Sequence, residues 1–150
     1  MKDIFSDAVS AEIIDRIKQL NPNTKAMWGK MNAAQMLAHC NVTYEMDFED
    51  IHKKPGGLMR WMLKTFVKKS VVNEMPYKRN SGTAPQFIIK DAKDFEAEKK
   101  RLVNYIDQAK NLGRSHFEGK ESFSFGKLTA EEYNNMFYKH LDHHLTQFGV

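Results

Sequence analysis

Apolar residues recur at helical spacing in four stretches of the chain, and little of the remainder reads as strand. In the first, Val9, Ile13, Ile17 and Leu20 predict a helix from about Ser6 to Leu20, capped by Ser6 and stopped by Asn21-Pro22-Asn23. A second helix begins after Asn32, where Gln35 three residues on resembles a capping box; Gln35, Met36, His39, Val42, Thr43 and Met46 form its inward face. Pro55-Gly56-Gly57 breaks the chain beyond it. A third long helix spans about Ala92 to Asn111 on Phe95, Leu102, Ile106 and Ala109, with Gly113 suited to its C-terminal end. The last starts at Thr129, where Glu132 completes an S/T-x-x-E signature, and runs to about Phe148.

Between the second and third of these lies a long connection, Ile51 to Lys90, whose part Leu58–Val72 is helical by propensity. Asn80 to Pro85 reads as a loop, Phe87-Ile88-Ile89 as a short extended piece, and Gly119 to Gly126 as a loop. The pattern predicts an all-α fold: a four-helix bundle with a long, partly helical connection between helices two and three, in a single domain over residues 1–150.

Composition narrows the setting. One cysteine, Cys40, excludes an intramolecular disulfide and fits a reducing, cytoplasmic compartment. No run approaches the roughly 18 apolar residues of a membrane span, and acids stand where an export signal would place its apolar core, so no membrane contact is expected. The net charge of +4 is local. Residues 51–80 hold eight Lys and Arg against Glu74 alone, while residues 1–50 hold five basic and eight acidic side chains. That basic segment reads as a solvated face or as the rim of a pocket for a small anionic substrate, with Arg60, Lys64 or Arg79 as clamps. It carries no nucleic-acid-binding motif, so nucleic-acid association ranks third. Trp61 with Met59 and Met62 is a candidate patch for a homodimer.

The histidines carry the candidate chemistry. On a wheel of about 100° per residue, the apolar stripe of the last helix runs through Tyr133, Phe137, His140, His144 and Gln147, with His143 at its edge. Imidazoles at i and i+4 lie on one face, close enough to share one ion. His39 sits in the inward face of the second helix, where a facing position would complete a three-histidine site. For each histidine alone the competing role is a core residue donating to a backbone carbonyl. Zinc, nickel, iron or copper all accept neutral imidazole. Gln147, one turn beyond His144, is placed to hydrogen-bond a water at the site, and Gln35 and Thr43, one turn either side of His39, to support its ligands. Cys40 is rotated from His39 and reads as a small buried hydrophobe.

Two stretches then show a family resemblance. Trp28-Gly29-Lys30-Met31-Asn32 with Gln35-Met36-Leu37-Ala38-His39, and Phe125-Gly126-Lys127-Leu128-Thr129 with Tyr138-Lys139-His140-Leu141-Asp142-His143-His144-Leu145-Thr146-Gln147-Phe148-Gly149, resemble the DinB-like (DinB/YfiT) superfamily of metalloenzymes. The likeness is greatest to a small bacterial branch classed as a domain of unknown function. The resemblance implies a DinB/YfiT-type bundle and a divalent metal held by His39, His140 and His144. It also implies activities similar to those of thiol-dependent transferases and isomerases, which use a low-molecular-weight thiol such as bacillithiol, mycothiol or glutathione. The connection from Ile51 to Lys90 is longer and more basic than in the simplest members, so the roof of the pocket does not carry over.

Overall fold

A computed structural model describes residues 1–150. The chain is mostly helical. Helix α1 (Asp7–Gln19) is capped by Ser6, and α2 (Ala33–Phe48) opens on a reciprocal box between Asn32 and Gln35. The connection holds α3 (Gly57–Met62), one π-turn at Leu63–Val67, α4 (Lys68–Val72) and a 3₁₀ turn at Pro85–Phe87. Helix α5 (Phe95–Phe117) follows, then an antiparallel hairpin, β1 (Glu121–Ser122) with β2 (Gly126–Lys127), and α6 (Ala130–Gln147). Thr129 and Glu132 cap α6 reciprocally.

Helices α1, α2, α5 and α6 enclose one apolar core. Each brings a stripe: Ile13 and Ile17 from α1, Leu102, Ile106 and Ala109 from α5, Tyr133, Phe137 and Leu141 from α6. Helix α2 differs. Residues Ala33 to Glu45 are buried on every side save Gln35, because α5, α6 and the 3₁₀ turn all pack against it. Its opposite faces thus serve two purposes. Leu37, Cys40 and Tyr44 join the core, where Tyr44 stacks on Phe137 at 4.7 Å, while His39 and Thr43 turn toward α6.

Several elements differ from the sequence expectation for identifiable reasons. Helix α5 starts at Phe95 rather than Ala92, because Asp94 accepts the Ala97 amide at 2.7 Å and so sets the cap. Gly113 leaves the helical region (φ +68°, ψ 175°) and breaks the helix where its sequence position suggests; a short further helical turn beyond it seats Phe117 in the core. Residues 119–126 hold a short hairpin as well as a loop. Phe87 belongs to a turn instead of an extended piece, since Pro85 starts it and the Ile88 amide closes on the Pro85 carbonyl.

The connection is fastened at one end of its helical arm. The Lys139 ammonium of α6 donates to the carbonyls of Ser70 and Asn73 and to Asn73 Oδ1, and Asn135 donates to the Val72 carbonyl. These side chains satisfy the terminal carbonyls of α4, where a cation also suits the helix dipole. Burial lowers the Lys139 pKa to about 8. The other end of the arm is held at the surface, through Arg60 and the hairpin: no residue of α3 or of the π-turn is buried, and Leu58, Met59, Trp61, Met62 and Phe66 are exposed. No helix is long and apolar enough to cross a membrane.

Candidate metal centre

Three histidines meet between α2, α6 and the connection. One ring nitrogen from each of His39, His140 and His144 lies within 4.8 Å of the others. His39 Nε2 and His140 Nε2 are 3.0 Å apart. The ring centroids of His39 and His144 are 4.4 Å apart, and those of His140 and His144 4.8 Å. Local sequence explains the convergence. A four-residue step on α6 stacks His140 above His144, and the buried packing of α2 against α6 brings His39 opposite them.

Each ring is oriented from its far side. His39 Nδ1 donates to the Phe87 carbonyl at 2.8 Å; a carbonyl only accepts, so the Nε2 lone pair faces the cluster. His144 Nδ1 pairs with Gln147 Oε1 at 2.8 Å, which leaves its Nε2 a lone pair by the same logic. His140 Nδ1 meets the Thr43 hydroxyl at 3.0 Å. Histidine ligands are commonly fixed in this way, by a partner on the nitrogen that does not bind.

The arrangement fits a divalent ion. Two nitrogens held at roughly 2.1 Å from one ion, with bond angles of about 90–110°, lie about 3.0–3.4 Å apart. His39 and His140 already have that spacing, and the widest separation in the set, up to 4.8 Å, closes with about 1.4–1.8 Å of ring movement shared between the partners. The His39 lone pair at 3.0 Å from His140 Nε2 is met either by that nitrogen's own proton or by an ion shared between the two rings.

Burial keeps the three rings neutral, the form that binds metal. Desolvation is the largest cause of the lowered pKa in all three, followed for His140 and His144 by the neighbouring imidazoles. His140 falls well below the ordinary 6.5, and His144 to about 3. In the unfolded chain these rings titrate near 6.5, so between that value and about 3 the unfolded state binds more protons than the folded one. Stability of metal-free protein therefore falls as the pH is lowered through that window. The expected result is a lower Tm in chelator at about pH 5 than at about pH 7, with a shallower fall in His144→Ala. Calorimetry on both proteins checks it.

The remaining predicted residues are placed as follows. Thr43 touches His140. Gln147 does not offer its amide to a water at the centre: Oε1 is taken by His144 and Nε2 donates to the Trp28 carbonyl at 2.6 Å. Gln35 is engaged in the α2 cap, its Oε1 accepting the Asn32 amide at 3.2 Å. Arg60 is held on the hairpin by Glu121 and the Ser122 carbonyl, because α3 lies beside β1. Lys64 also lies at the hairpin, beside Gly126. His143 packs on the rings of Trp28, Tyr77 and His144 and stays outside the three-nitrogen set. Glu45 is taken by Arg101 and His52. Cys40 is buried against Met36, and burial pushes its thiol pKa up, so it is no nucleophile here.

Sequence reasoning missed the roof. Phe87 lies over His39 at 5.4 Å and His140 at 5.9 Å, and Tyr77 reaches His140 at 6.5 Å. Both rings come from the connection between α2 and α5, as does the Phe87 carbonyl. An aromatic on each side of the 80–85 loop was the available signal.

A family model described as "Protein of unknown function (DUF1569)" matches residues 5–149 of the chain. No curated protein and no solved structure matches it.

Proposed function

The chain belongs to the DUF1569 family, and from the geometry of its histidine cluster we propose that it is a divalent-metal protein whose ion is held by His39, His140 and His144. We read the fold as a single domain, a four-helix bundle of the DinB-like type, in which α1, α2, α5 and α6 are the bundle and the connection supplies the roof. The observation that carries the proposal is the set of three ring nitrogens within 4.8 Å, two of them with lone pairs fixed toward the centre by Phe87 and Gln147.

Three protein donors are the arrangement of open, catalytic sites rather than closed structural ones. A divalent ion at this place supplies Lewis acidity, which lowers the pKa of a thiol or water that reaches it. The protein's own part is orientation and exclusion of solvent. Phe87, Thr43 and Gln147 hold the three rings, and Phe87 and Tyr77 cover those of His39 and His140. With Cys40, the one cysteine, sealed in the core, no protein thiol competes, which suits a thiol-dependent S-transferase or a hydrolase acting on a small anionic substrate. Zinc, nickel and iron all match the donors.

The assay that tests catalysis is incubation with several low-molecular-weight thiols and a generic electrophile, with and without chelator. Conjugation that requires both metal and His144 supports the transferase. Conjugation that persists in chelator defeats it. A metal-loaded protein inactive toward thiol conjugation and ester hydrolysis alike supports the second reading, a non-catalytic metal-binding protein.

A further inference from the structure

Two polar side chains without partners, Arg79 and Trp28, lie immediately beside the histidine centre. A cleft of about 170 Å³ opens between the loop before α2, the segment after α4 and the outer face of α6, and its walls include Trp28, Pro76, Tyr77, Arg79, Tyr138 and His143. It is smaller than the roughly 300–1,000 Å³ of sites for drug-sized ligands. Its inner wall is also the outer wall of the metal centre. The His143 ring is 5.0 Å from that of His144, and Tyr77 lies 5.7 Å from His143 and 6.5 Å from His140.

The charges on this wall are accounted for, save one. Asp142 pairs with Arg16 at 2.7 Å, the amino terminus with Glu74 at 3.3 Å, and the Lys139 ammonium with carbonyls of the connection. Arg79 has no acidic partner and no hydrogen bond. Its guanidinium lies over the Trp28 ring at 4.2 Å from the centroid, a stack that fixes the plane of the fork and leaves its N–H edge free. The Trp28 indole N–H is buried and likewise without a partner. Arg79 thus offers a free cationic donor on a wall that also presents the faces of Trp28, Tyr77 and His143 and carries the Arg16-paired carboxylate of Asp142.

We propose that this cleft binds the carboxylate of a small ligand with a flat apolar body, with Arg79 gripping the carboxylate and Trp28, Tyr77 and His143 flanking the body. The inference rests on the metal reading only in making the cleft the substrate subsite of that centre. A carboxylate accepts the two parallel N–H bonds that the guanidinium fork offers, and the aromatic walls recover apolar area from the remainder. Gripped at Arg79, such a ligand extends along His143 toward the histidine cluster. Of the three clamps that the basic segment suggests, the structure brings this one to the cleft, whereas Arg60 and Lys64 lie at the hairpin.

The test reads Trp28 emission in a Trp61→Phe background, which leaves one tryptophan. Benzoate, benzamide and acetate are titrated into protein in chelator and into zinc-loaded protein. Benzoate gives a saturable change, and benzamide and acetate bind about tenfold or more weakly. Arg79→Gln weakens benzoate to the level of benzamide. Equal binding of benzamide overturns the anion, equal binding of acetate overturns the flat body, and an unchanged Arg79→Gln overturns the assignment. Benzoate bound by protein that takes up no ion leaves the cleft standing and defeats the metal reading. An ion without benzoate binding does the reverse.

Discussion

Protein purified without a histidine tag is expected to carry about one divalent ion per chain, and His144→Ala to carry almost none. The expectation follows from the donor count. With three imidazoles the set matches an open site; with two it is a pair of i, i+4 or cross-helix histidines of the kind that any surface offers. The loss should not be confused with unfolding, because His144 is one turn from the end of α6 and the main core residues lie on its earlier turns. His143→Ala is the internal comparison. Its ring touches His144 yet lies outside the nitrogen set, so it should keep the ion. Thr43→Val removes the hydroxyl from His140 Nδ1 at nearly constant volume and should weaken binding by about 10–100-fold without abolishing it. Ion binding also stabilises the fold by mass action. An excess of about 100–1,000 times Kd adds roughly 3–4 kcal/mol, or a Tm increase of roughly 5–15 °C for a chain this long. Elemental analysis and thermal melts with added zinc measure both. An empty wild type, or an ion retained in His144→Ala, removes the basis of the proposed function.

The parts of this centre that were legible in the sequence are those governed by local physics. The cap of α6 is set by Thr129 and Glu132, three residues apart, and the phase of His140, His144 and Gln147 follows from helix geometry once the cap is set. His39 follows similarly from the Asn32–Gln35 box. That α2 faces α6 at His39 is a tertiary fact, and periodicity carries no record of it. Nor does periodicity show a helix buried on nearly all sides: the inward face read from Met36, Val42 and Met46 is real but is only part of what α2 buries. The residues read least well are those whose role depends on where a distant chain segment passes. Arg60 and Arg79 belong to the same basic run, yet α3 delivers one to the hairpin and the segment after α4, turning at Arg79-Asn80, delivers the other to Trp28. Gln147 stands beside His144, as its spacing requires. The Trp28 carbonyl, 119 residues earlier, decides which way its amide points.

That last contact makes a glycine that bonds no histidine part of the metal centre. Gly29 adopts φ +84°, a conformation that side chains rarely tolerate, and a Cβ there would lie 2.5 Å from Gln147 Nε2. The close approach is what lets the loop bring the Trp28 carbonyl onto the Gln147 amide, whose other end fixes His144. In Gly29→Ala two costs coincide: about 1–3 kcal/mol of backbone strain, and displacement of Gln147 from between Trp28 and His144. The expected outcome is a protein that stays helical, melts a few degrees lower and binds its ion about 10–100-fold more weakly. Gln147→Ala, which removes the same support directly, should match it in affinity while lacking the backbone strain. Gly57→Ala distinguishes this from a general intolerance of alanine. Gly57 begins α3 with nothing within 4 Å of the added methyl, so it should leave metal affinity unchanged and cost no stability. Circular dichroism, melting curves and competitive zinc titration on the three variants provide the comparison. If Gly29→Ala loses stability yet keeps full affinity, then the loop does not act on His144 through Gln147, and the Trp-Gly step serves only to turn the chain.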